Sequence, residues 1–133
     1  MIQVDDTLDA TPVVEWRIRE ATRLLGNVRT SGSQAATISF LRCVRDVALE
    51  LDAVMGKVSK CLDTDGLGDE LFAKAYAAGA SHGATLAFCR SFANDPSHHV
   101  RMACAAGEMV LGQISPDHFR AIEAVRKRLN NKS

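Results

Sequence analysis

Residues 34–62 contain no proline, and they carry Phe40, Val44, Val47, Leu51, Val54 and Val58 at alternating steps of four and three. That period puts all six side chains on one stripe of an α-helix and on no single face of a strand. It is an a/d-type seam sustained over nearly three heptads. Leu41, Ala48, Met55 and Leu62 form a second stripe beside it, giving the wide apolar face of a helix in the middle of a bundle. At about 1.5 Å per residue this helix would be about 43 Å long. A compact chain of this size has a radius of gyration of about 14 Å and is about 36 Å across. Either the helix bends or breaks near Gly56, or its end packs on another chain.

Three further helix starts are marked by Thr11-Pro12, Asp95-Pro96 and Ser115-Pro116. Proline at the first helical position loses no hydrogen bond, and the side chain before it caps a free amide. A first helix is expected from Pro12 to about Gly26, with Val14, Ile18, Ala21, Leu25 and Val28 on one face and Trp16 off that stripe. Gly26-Asn27 reads as its stop. A third helix, from about Asp69 to Ala93, has Ala75, Gly79, Gly83 and Ala87 in a line at a spacing of four. Such a line lets a neighbouring helix approach closely, and its two glycines leave the helix dependent on tertiary packing. A fourth helix is expected from Pro96 to about Gly112, with Val100, Ala103, Gly107, Val110 and Ile114 inward. A fifth runs from Pro116 to about Asn130, with Phe119, Ile122, Val125 and Leu129 inward. No segment alternates with period two for long enough to be a strand. The expected fold is all-α: a single-domain bundle of about five antiparallel helices over residues 11–130, with one long central helix. Residues 1–10 are expected to be a flexible N-terminal segment.

Lys plus Arg and Asp plus Glu both total 16, and aromatic residues make up 5% of 133. Zero formal charge argues against a nucleic-acid coat protein or a polybasic membrane binder. So few aromatics argue against base-stacking platforms. The longest stretch free of Asp, Glu, Lys and Arg, Ala75 to Cys89, is too short to span a bilayer, which takes about 20 residues. The first residues carry neither a basic region nor an apolar one, so a cytoplasmic location and no membrane contact are expected. The charges are segregated: residues 17–45 and 120–133 are basic and residues 46–70 acidic. Solvated faces that pair within the fold explain this, as would a surface for a partner or for head-to-tail self-association.

Cys43, Cys61, Cys89 and Cys104 form no CxxC pair and fall in helical patterns, as expected of reduced thiols acting as small apolar groups. His98 and His99 point about 100° apart in the first turn of a helix. Neither has a ligand at helical spacing, so zinc would need Cys89 or Cys104 from elsewhere. Read as an EF-hand loop from Asp63, the chain has Leu67 at the fifth position and Lys74 at the twelfth, so calcium fails. A phosphotransfer domain would place a lysine after His82, but the string is His82-Gly83-Ala84-Thr85-Leu86. No GxSxG, HExxH, Walker or dinucleotide loop is present.

Asp95-Pro96-Ser97-His98-His99-Val100-Arg101-Met102-Ala103-Cys104, continuing to Leu111-Gly112, resembles the second helix of a HEAT repeat, with Ala84 to Ala93 as the first. The resemblance implies a protein-binding scaffold. It covers one copy, whereas at least three stack in such an array, and the long second helix has no counterpart there.

These observations lead to a non-catalytic helical protein–protein interaction module, an adaptor, inhibitor or small regulator, expected to self-associate as a homodimer. The candidate contact residues are Trp16, Arg42, Arg45, His98, His99 and Arg101. No catalytic, metal or cofactor residues are expected. One alternative is a small-ligand binder or enzyme with a pocket between helices, using His82, His98, Cys89 and Cys104. The other is nucleic-acid binding through the first helix and Arg120, Arg126, Lys127, Arg128 and Lys132.

Overall fold

The computed structural model describes residues 9–64, 66–113 and 118–131. Five helices account for nearly all of them: α1 Thr11–Ser31, α2 Gln34–Leu62, α3 Asp69–Arg90, α4 His98–Leu111 and α5 Phe119–Asn131. There are no strands among the described residues. The first ten residues, expected to be flexible, lie outside the description except Asp9 and Ala10.

The ends of the helices are set by side chains that the sequence offers. At the start of α1, Asp9 Oδ1 accepts the Thr11 N–H at 3.0 Å, so Ala10 is the cap and Pro12 falls one place later than expected. α1 also runs past Gly26. One further turn buries Val28 completely beside Ala21 and Leu25, and that burial outweighs the roughly 1 kcal/mol that a helical glycine costs. The stop comes at Gly32, whose φ of 59° only glycine adopts without strain. Ser33 opens α2 by accepting the Ala36 N–H at 3.1 Å. Ser97, not Asp95, caps α4, accepting the Val100 N–H at 3.2 Å. Asp95 Oδ2 takes the Ser97 N–H instead, which moves the helix start from Pro96 to His98. α3 ends at Arg90, earlier than Ala93, where Ser91 Oγ donates to Phe88 O. The expected start of α5 at Pro116 lies outside the described residues.

α2 passes through Gly56 without interruption, and its length is explained by two cores stacked along it. Its first half, with Phe40, Val44 and Val47, packs against Ala21, Leu25 and Val28 of α1, Cys89 of α3, and Val100, Ala103 and Leu111 of α4. Its second half, with Leu51, Val54, Met55 and Val58, packs against Phe72, Ala75 and Ala78 of α3 and Ala121 and Val125 of α5. α2 and α3 run through both cores and make them one unit. The overhang expected of a 43 Å helix is therefore covered by α5, and no second chain is required there. On α5, Ile122, Val125 and Leu129 face the second core as expected, and Phe119 does not. Ala121 is fully buried whereas Phe119 is 60% exposed.

Ion pairs tie the outer helices down. Arg29 forks onto Asp95 at 2.8 and 2.9 Å, joining the end of α1 to the turn before α4. This pairing holds the Asp95 carboxyl below its usual range, helped by the Ser97 amide. Arg17 reaches Glu50 at 3.0 Å from α1 to α2. On α5, Arg120 pairs with Asp63 and Arg128 with Asp69.

Candidate functional site

α2 has a face that no other described helix covers. Ile38, Arg42, Arg45 and Leu49 recur at steps of four, three and four, within about 60° of one another and opposite the buried seam. α2 packs on α4, where a Cβ at Gly107 would lie 3.7 Å from Phe40 and Val44. The outer side of α4 carries Met102 and Met109, with exposed Ala105 between them. Ile38 is 42%, Leu49 51%, Met102 58% and Met109 70% exposed. Ile38 and Leu49 flank Arg42 and Arg45 in the α2 stripe, whereas Met102 and Met109 stand on the outward side of α4, which packs on the other face of α2. Arg42 and Arg45, in the middle of the α2 stripe, make no ion pair or hydrogen bond with any described residue.

The structure divides the six residues singled out from the sequence. Arg42 and Arg45 stand together on this face. His98 and His99, both exposed, lie at the start of the same α4, with ring centroids 6.0 Å apart. The His99 ring lies over Gly32, leaving no room for a Cβ there. Arg101 is occupied as a staple: its Nη1 donates to Asp95 O at 2.6 Å and to Pro96 O at 3.2 Å, fixing the turn before α4. Trp16 is apart from the rest. It stands exposed near the start of α1 with the Arg17 guanidinium 4.5 Å from its ring centre, about 24 Å along the helix from Gly32. The exposed apolar residues were not among the expected contacts. Their signal was the second period-3.6 stripe of Ile38, Arg42, Arg45 and Leu49, masked by the stronger core seam.

The other polar candidates occupy quieter places. Cys89 and Cys104 are buried in the first core, and all four cysteines are free thiols. A hydrogen bond with Cys104, together with burial, pushes the Cys89 thiol far above its ordinary range. Burial raises Cys43 as well. Both shifts disfavour the reactive thiolate. His82 is half-buried and its Nε2 lies 2.7 Å from Leu111 O. A carbonyl only accepts, so Nε2 carries the proton in this bond. Of the turn acids considered for calcium, Asp63 is paired with Arg120 and Asp65 lies outside the described residues. No group of three or more metal-ligating side chains converges among the described residues. No described helix is long and apolar enough to cross a membrane. The line of small residues on α3 receives no helix at Gly79 and Gly83, where an added Cβ would meet nothing within 4 Å.

No protein-family model, curated protein or solved structure matches the chain. The HEAT-like string is accounted for locally by a capped helix start with Asp95 and Ser97 in its turn.

Proposed function

We propose that this protein is a helical protein–protein interaction module whose docking surface is the outer stripe of α2. The observation that carries the reading is one helical stripe with Ile38 and Leu49 exposed at its ends and, between them, Arg42 and Arg45, which have no partner among the described residues. Apolar side chains clustered in solvent and rimmed by charge are the usual signature of such a surface.

Charge favours an acidic partner over a second copy of the chain. Self-association would need the acidic block of residues 46–70 as the complement to Arg42 and Arg45. Much of that block is already used: Glu50 holds Arg17, Asp52 lies 3.1 Å from His118, and Asp63, Asp69 and Glu70 pair with Arg120, Arg128 and Lys74. The partner that fits is an amphipathic helix with acidic residues beside its apolar stripe. The same accounting weakens nucleic-acid binding through α5. Arg120 and Arg128 are tied to Asp63 and Asp69 across the fold, and Lys132 lies outside the described residues.

The test combines light scattering of the isolated protein with nuclease-treated affinity capture from its source lysate. The baits are the wild type, I38D/L49D and R42E/R45E, each checked for unchanged melting. The expected result is a monomer that captures a stoichiometric protein, lost with both variants. Capture indifferent to both variants, or bait alone, would overturn the surface. A dimer broken by I38D/L49D would replace the acidic partner with a second copy.

A further inference from the structure

Between α3 and α5, floored by Leu51 and Met55 of α2, is a recess of about 380 Å³. That volume falls within the range of small-molecule sites. It exists because α3 offers Ala75, Gly79 and Ala80 where larger residues would have filled the gap to Val125 and Leu129 of α5. At Gly79 the missing side chain would meet no heavy atom within 4 Å.

The walls are apolar, but three polar side chains also line the recess: Tyr76, His82 and Arg126. None is a carboxylate. Tyr76 has no hydrogen-bond partner among the described residues. Arg126 is exposed and, among the described residues, held only by Glu123, one turn before it on the same helix. An exposed pair of that kind is readily given up to a better-placed anion. His82 is tied to Leu111 O and forms part of the inner wall.

We infer that the recess between α2, α3 and α5 binds a small amphipathic carboxylate. Its aliphatic tail would lie on Leu51, Met55 and Val125, and its head group would sit at the rim between the Tyr76 hydroxyl and the Arg126 guanidinium. The guanidinium fork matches a carboxylate in shape as well as charge, which selects against a cationic head on the same tail.

The probe is octanoate, titrated into the 15N-labelled protein, with octylammonium as the control of opposite charge. Saturable amide shifts are expected at Ala75, Tyr76, Gly79 and Arg126. Octylammonium should bind at least about tenfold more weakly, and R126Q should cost octanoate about as much. G79L and A80L place a side chain in the recess and should abolish saturation while melting no lower than the wild type. Equal binding of both probes would overturn the head-group assignment. Shifts that never saturate, or that centre on Ile38, Leu49, Met102 and Met109, would overturn the site. So would octanoate affinity that survives both G79L and A80L in folded protein.

Discussion

Alanine at the helical glycines should change stability in opposite directions, and the direction is readable from the space around each. Alanine in a helix interior is favoured over glycine by about 0.8–1.0 kcal/mol. At Gly79 and Gly83 the new methyl meets nothing within 4 Å, so G79A and G83A keep that gain in full. Each should raise Tm by about 3–5 °C. At Gly107 the methyl would lie 3.0 Å from Cys89 Sγ, with Phe40 and Val44 at 3.7 Å closing off the other sides. Cys89 is fully buried and hydrogen-bonded to Cys104, so it has no open direction in which to yield. Overpacking of a core costs about 1–3 kcal/mol. Set against the propensity gain, G107A should be destabilised by about 1 kcal/mol, a drop of about 3–5 °C. The contrast between G83A and G107A is thus about 2 kcal/mol. Thermal and urea unfolding followed by far-ultraviolet circular dichroism measures it. Adding C89A removes the obstructing sulfur, and the double-mutant cycle should return about 1 kcal/mol or more of favourable coupling. If G107A is as stabilised as G83A, or if C89A restores nothing, the packing argument at the α3–α4 contact is wrong.

Three other expectations are tested more simply. S33A and S97A each remove a hydroxyl that accepts a first-turn amide, and each should lower stability by about 1 kcal/mol in urea melts. D95N should melt below the wild type at neutral pH. The folded-state carboxyl titrates below its ordinary value of 3.8, so its contribution is present above that value. It is lost as pH falls through the depressed one, and the two proteins should converge in acid. In a thiol-labelling time course on folded protein, Cys43 and Cys61 should react before Cys89 and Cys104, with all four reacting together in denaturant. Early labelling of Cys89 would contradict its burial.

The sequence alone determined the helical class and the identity of the central helix. The reason is periodicity. Phe40 to Val58 repeat at a step that only an α-helix turns into one face, and Ser33 supplies a local cap for its start. Such signals are carried by residues close along the chain and need no partner to be read. What depended on contacts between distant residues was decided by the tertiary structure. α1 continues through Gly26 because Val28 has a core waiting for it, and α2 needs no second chain because α5 covers its far half. Phe119 faces out because Ala121 and Val125 are the side chains that fit against α2 and α3. The acidic block was visible as charge, but only the fold placed it against Arg17, Arg120 and Arg128, leaving Arg42 and Arg45 without partners among the described residues. The recess beside Gly79 was half visible, as a line of small residues. Whether such a line receives a helix or opens to a ligand depends on how far α5 stands from α3, a distance no local pattern encodes.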